Sequence, residues 1–148
     1  VYSLGIEYQS PHYWWVALTA NYFDKNYIGI APSLRTENIY LDPNTGSRYT
    51  NIDEDIVRGL LRQERLPGLF LLNATAGKSW RIKGNFLNVF ASVNNLLNTQ
   101  YKSNGFEQAR KGDYQAMIKD RKSGYPTFGN KYFTGYGTSF YLNVTLSL

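Results

Sequence analysis

Arg58, Arg62 and Arg65 recur at intervals of four and three within residues 53–65, DEDIVRGLLRQER, so on a helix their guanidinium groups would share one stripe. Planar guanidinium forks pair with carboxylate and phosphate. The three arginines are therefore the candidate residues for gripping an anionic ligand or a lipid headgroup, with a solvated helix face as the plainer reading. Residues 42–46, DPNTG, partly resemble a calcium loop, and Asp53 falls twelve positions along when Asp42 is counted as one. Glycine stands one place too early, however, and the last ligand is Asp where the motif needs Glu, so a plain turn is expected. The single His12 sits in a turn beside Tyr13 and Trp14 with no second ligand near it in sequence. Serines are plentiful but none lies in a nucleophile motif. The absence of cysteine removes disulfides, thiolate zinc sites and cysteine nucleophiles. Residues 119–122, KDRK, could likewise meet an anionic partner, with a solvated charge run as the plainer reading. The expectation is a protein that is not an enzyme and uses no metal or cofactor.

These residues sit on elements of two kinds. In residues 53–65 acids lead and arginines finish, the order that suits the helix dipole, and Pro67-Gly68 supplies a stop, so a short helix is expected inside a long irregular segment from about 32 to 66. A second such segment runs from about 102 to 131. Elsewhere the chain alternates with period two. Residues 2–8, 13–23, 69–80 and 85–96 and a final stretch starting near Tyr132 read as five strands. The last is the most regular: in TSFYLNVTLSL, Phe140, Leu142, Val144, Leu146 and Leu148 fall on one side, and Ser139, Tyr141, Asn143, Thr145 and Ser147 on the other. Lys78 interrupts the apolar side of the third strand, and Phe86 and Phe90 interrupt the polar side of the fourth. The sequons at Asn73 and Asn143 lie within strands, where their Asn reads as a polar face residue and not as a glycan site.

The connections run short, long, short, long. Outer-membrane barrels have short periplasmic turns and long outer loops, so this parity favours a transmembrane barrel. Tyr8, Tyr13, Trp14, Trp15 and Trp80 lie beside the two short turns and would form an aromatic girdle at the headgroup level. Thirteen tyrosines fit many half-wet positions. No run approaches the roughly 18 apolar residues of a membrane-spanning helix. The net charge of +5 is spread over the two long segments among acids, which argues against nucleic acid as a partner. Five strands cannot close a barrel. With Val1 already inside a strand and no initiating Met, the chain is expected to be a fragment.

Four stretches resemble the C-terminal end of TonB-dependent outer-membrane receptors of the Bacteroidetes type, in the SusC/RagA-like or carboxypeptidase-regulatory-domain-containing group. They are residues 31–37 (APSLRTE), 61–68 (LRQERLPG), 90–101 (FASVNNLLNTQY) and 128–148 (FGNKYFTGYGTSFYLNVTLSL). The most specific piece, VNNLLNTQY at 93–101, looks like the family's strand end N-N-L-x-[ND]-x-x-Y. The resemblance implies an all-β fold forming the last strands of a barrel of about 22 strands around an N-terminal plug. It implies nutrient import across the outer membrane, with 32–66 and 102–131 outside the cell and the C-terminus in the periplasm. Implied partners are outer-membrane lipid, the rest of the barrel and its plug, TonB through the N-terminal part, and a surface lipoprotein. Gly137, Phe140, Leu142 and Leu148 resemble the signal read by the barrel-assembly machinery, although most members end in Phe or Trp. Two other readings stay open: a receptor-like barrel serving as a structural anchor in a surface assembly, and a soluble β-sandwich binding module.

Overall fold

The computed structural model describes residues 1–108, 112–125, 127 and 129–147. In chain order it contains β1 (Tyr2–Ser10), β2 (Trp14–Phe23), 3-10 turns at Pro32–Arg35 and Glu37–Tyr40, and α1 (Glu54–Leu60). These are followed by β3 (Leu69–Ile82), β4 (Asn85–Asn94), β5 (Lys102–Phe106), α2 (Tyr114–Lys122), β6 (Lys131–Thr134) and β7 (Ser139–Ser147). The protein is mostly β. An antiparallel sheet has the order β1-β2-β3-β4-β7, and β5 pairs with β6 in a separate two-stranded sheet. The chain divides into two compact units. One holds the five-stranded sheet, from Val1–Lys25, Pro67–Tyr101 and the stretch from Thr134 onward; the other comprises Asn26–Leu66 and Lys102–Phe133.

Within the sheet unit, period-two alternation is locked by register. Ile6 faces Leu18, Leu18 faces Ala74, Ala74 faces Val93 and Val93 faces Phe140, so apolar residues of all five strands occupy one side. Both short turns use left-handed backbone. Tyr13 (φ 59°) closes the first, where its N–H donates to the Ser10 carbonyl, and Lys83 (φ 51°) with Gly84 (φ 94°) forms the two-residue link between β3 and β4. Both long connections leave the opposite end of the sheet, where Phe23 pairs with Leu69 and Asn94 with Ser139.

At that end VNNLLNTQY has a physical task. Asn95, 4% exposed and at φ 52°, donates from Nδ2 to the carbonyls of Thr99 (3.0 Å) and Tyr136 (3.2 Å). Its Oδ1 accepts from the Thr99 N–H at 2.9 Å, its own N–H donates to Asn73 Oδ1, and its carbonyl accepts from Thr138 Oγ1 at 2.8 Å. Asn98, also left-handed (φ 51°), accepts from the Thr138 N–H. A Cβ on Gly137 would approach Asn98 Oδ1 to 2.6 Å, and one on Gly135 would collide with the Tyr101 ring. These asparagines and glycines thus seat the entry to β7 against the exit of β4.

The second unit has its own core of Ile39, Val57 and Tyr114, with Met117 and Ile118 packed against it. Three sequence expectations change here. The helix is shorter than residues 53–65: Asp53 caps α1 by accepting from the N–H groups of Asp55 and Ile56, but α1 ends at Leu60. Residues 64–66 instead pair with 26–28, through Ile28 N–H to the Glu64 carbonyl and Leu66 N–H to the Asn26 carbonyl, and that extended pairing excludes a further helical turn. The segment from 102 to 131 is not irregular, since it carries β5, α2 and the start of β6. Finally, the stretch beginning near Tyr132 is two strands: Lys131–Thr134 pairs with β5, and the sheet strand starts only at Ser139. Residues 42–46 do form a plain turn, with Asp42 Oδ1 accepting from the Asn44 N–H and Gly46 at φ 68°.

Replacing Asn95 by Ala removes three side-chain hydrogen bonds and places a Cβ-bearing residue without local compensation in left-handed backbone. The variant should lose about 3 kcal/mol in denaturant unfolding of the full chain, and Asn95→Gly should recover about 1 kcal/mol of that loss. Equal losses for the two would remove the backbone contribution.

Candidate functional site

Exposure along β2 runs opposite to that of a water-soluble sheet, while β1 and β7 are largely exposed on both sides and β4 is largely half-buried on both. In β2, Trp14, Val16, Leu18 and Tyr22 are exposed, whereas Trp15, Ala17, Thr19 and Asn21 are half-buried. In β7, Phe140 is 84% exposed, Leu142 62% and Val144 59%. Every buried hydrophobic residue described (Ile28, Ala31, Leu34, Ile39, Val57, Leu66 and Tyr114) belongs to the second unit. Among the described residues of the sheet unit, only Gly77 and Asn95 are buried. The apolar side of the sheet therefore meets no protein within its own unit.

Of the residues proposed for an aromatic girdle, Tyr8 and Trp14 lie on this apolar side with ring centroids 5.3 Å apart, and Trp80 shares the side near the same short turns. Lys78, the one cation on the apolar side, is accommodated there. Its ammonium donates to the His12 carbonyl at 2.7 Å and lies 5.6 Å from the Trp80 ring centre. Tyr13 is in the turn itself, 78% exposed. Trp15 does not join this group. It lies on the polar side, where its ring crosses Gly77 to reach Phe90, and Phe90 in turn meets Tyr141 at 6.2 Å. A side chain at Gly77 would collide with the indole, which is why glycine stands there. Around this aromatic row the side is polar, with hydrogen bonds from Ser3 to Asn21, Ser79 to Asn88 and Thr145 to Asn143.

The residues resembling an assembly signal fall at the β7 end of the same sheet. Phe140 and Leu142 pair with Val93 and Ala91 on the apolar side, and Gly137 sits against Asn98. Leu148 lies outside the described residues.

In the second unit the structure divides the arginine stripe. Arg58 stays on α1, exposed and paired with Asp55 at 2.6 Å. Arg62 and Arg65 lie beyond the helix and line a cleft of about 670 Å³ that also receives Arg121 of the KDRK run from α2. One wall of the cleft is fixed by a paired charge. Glu107 accepts from both Arg35 Nη atoms (2.5 and 2.9 Å) and from the Ala31 N–H, and Arg35 also donates to the Leu61 carbonyl at 2.7 Å. Another is fixed by Glu64, which accepts from Tyr132 Oη and from Asn130 Nδ2 at 2.6 Å. Burial, reinforced by Glu64, raises the Tyr132 hydroxyl pKa, and the Lys102 ammonium lies 3.3 Å above the Tyr132 ring centre.

The chain matches no protein-family model, no curated protein and no solved structure.

Burial alone would raise the pKa of Glu107. Arg35 and the Ala31 N–H outweigh it and hold the carboxyl below its ordinary value of 4.5. A depressed carboxyl stabilises the folded state fully above the unfolded value and loses that contribution as pH falls through the folded one. Amide protection in 26–66 and 102–133 should therefore fall with acidification below about pH 4.5. In Glu107→Gln protection should already be lower at pH 7, and its further decline on acidification should be shallower. Hydrogen exchange followed by mass spectrometry reads both.

Proposed function

We propose that the five-stranded sheet is a stretch of wall of a transmembrane β-barrel in the bacterial outer membrane. On this reading the chain is the C-terminal part of a TonB-dependent receptor that imports a nutrient. The observation that carries it is one apolar side running across five strands, with exposed apolar residues on β1, β2, β3 and β7, in a unit that buries no hydrophobic residue among those described. Contiguous apolar surface of this extent is rare on soluble monomers and is what a lipid-facing barrel wall requires. Four further features support the reading. The short turns lie at one end of the sheet and both long connections leave the other. Tyr8, Trp14 and Trp80 sit on the apolar side near the short turns, with Lys78 reaching from that side toward polar groups, as at a membrane interface. The outer edges of β1 and β7 have no partner strand among the described residues, and in lipid such edges must be paired. The sequence resemblance around VNNLLNTQY and the terminal strand supports this family.

In this arrangement residues 26–66 and 102–133 face the outside of the cell and the C-terminus faces the periplasm. The edges of β1 and β7 meet other strands of the same barrel, and the polar side faces the lumen and its plug. Energy coupling comes from TonB through an N-terminal part, and a surface lipoprotein is a candidate partner on the outer side.

Two neighbouring substitutions test the facing. Arg at Val144 should cost roughly 2 to 4 kcal/mol of unfolding free energy in bilayers if that residue lies near the midplane, and Arg at Asn143 should cost much less. Equal costs would sink the barrel assignment. So would recovery of the full-length protein in the aqueous phase without detergent, which would instead favour a soluble sandwich. A full-length protein lacking a plug and a TonB-contact segment would favour an anchoring barrel over a transporter.

A further inference from the structure

The cleft of the second unit combines three properties that together specify a ligand. Its size, about 670 Å³, is that of a small-molecule site. Part of its lining is apolar, from Leu34, which is buried, Leu60, Met117 and Tyr27. Its charges are asymmetric in availability, although arginines and acids are equal in number. Each acid on the wall already has donors of its own: Glu107 has Arg35 and the Ala31 N–H, Glu64 has Tyr132 and Asn130, and Asp120 has the Thr127 N–H at 2.7 Å. Two of the three guanidiniums are differently placed. Arg62 is exposed and has no hydrogen-bond or ion-pair partner among the described residues, and Arg121 makes only a 3.4 Å contact with the Gly59 carbonyl. The Glu107 charge is matched by Arg35, and Glu64 and Asp120 already accept from neighbouring donors, whereas an unengaged guanidinium beside apolar surface keeps its donors for a planar oxyanion.

We infer that this cleft binds an oxyanion, carboxylate or phosphate, borne on an apolar body, with Arg62 and Arg121 holding the anionic group and the Leu34, Leu60 and Met117 side chains receiving the body. The ligand's two chemical sources are a soluble organic acid and an anionic amphiphile. The inference does not depend on the barrel reading, because every residue it uses lies in the second unit.

Phenyl phosphate is the soluble probe and phenol its neutral counterpart, titrated calorimetrically into the full-length protein in neutral detergent. Phenyl phosphate should bind and phenol should not. Arg62→Gln and Arg121→Gln should each weaken binding about tenfold, the equivalent of one charge-assisted hydrogen bond. Arg58→Gln, paired with Asp55 and outside the cleft, should leave it unchanged. Raising salt should weaken binding of the charged probe. A second arm adds phosphatidylglycerol to the micelles. If it displaces phenyl phosphate from the wild type, or shows Arg62-dependent binding where the soluble probe shows none, the natural source is an amphiphile. Absence of Arg62-dependent binding in both arms, or equal weakening by Arg58→Gln, overturns the proposal. Unchanged hydrogen exchange across 26–66 in the Arg62 variant separates loss of a ligand contact from loss of the fold.

Discussion

An antiparallel ladder fixes which side chains share a side, because partners across the ladder point the same way and successive residues point opposite ways. In this chain that constraint acts five times in succession. Once Ile6 is opposite Leu18, the register carries through Ala74 and Val93 to Phe140, and one side of the sheet becomes apolar from edge to edge. A slip of one residue in any ladder would move that strand's apolar set to the polar side. The elements at the ends of the strands serve this register: left-handed Lys83 and Gly84 pin β3 to β4, and Asn95 pins the exit of β4 to the entry of β7. The Trp15 ring, crossing Gly77 to Phe90, ties β2 to β4 over the small residue between them.

The two units are held by different physics. The sheet unit has almost no buried apolar residue; hydrogen bonds of the ladders and a few polar hubs hold it, so whatever solvates its apolar side must supply the rest of its stability. The second unit is built as a water-soluble domain is, with a small core of Ile39, Val57 and Tyr114 and a paired charge, Arg35 with Glu107, whose hydrogen bonds reach residues 31, 61 and 107. Such a pair is costly to break from one side, since the remaining charge loses its partner while still partly buried. Segments distant in sequence are thus joined by a specific polar contact where the core alone is small.

Much of the sheet was legible in the sequence because period-two alternation is a local signal, and β1 to β4 lie within a few residues of where alternation places them. The facing of Trp15 was also there to be read, since a residue adjacent to Trp14 in a strand must point the other way. What was not legible depends on partners far along the chain. β5 is KSNGF, poor in strand-forming side chains, and its Gly105 is required by close approach of Ile28 and the Lys131 carbonyl. α2 lacks a clear apolar stripe and is marked only by its cap, Asp113, which accepts from the Ala116 N–H. The start of α1 was visible in Asp53 and the acids after it, but its end was not, because the pairing of 64–66 with 26–28 overrides local helix preference. For the same reason two of the three candidate arginines reach the cleft and Arg58 does not, while Arg121 arrives from a helix that the sequence did not announce.

This difference between local and long-range signals bears on where chemistry can lie in the chain. On the sheet, alternation leaves each position only two choices of side, and apolar or small polar residues fill nearly all of them, so few positions remain for recognition. In the second unit the order is set by contacts such as Arg35 with Glu107, and exposed positions around those contacts carry no comparable constraint. Arg62 illustrates the point: no described contact of the fold uses its guanidinium, and yet the fold brings it to a cleft whose acids are already satisfied. A charge that the structure does not need for its own stability is the kind that a ligand can use.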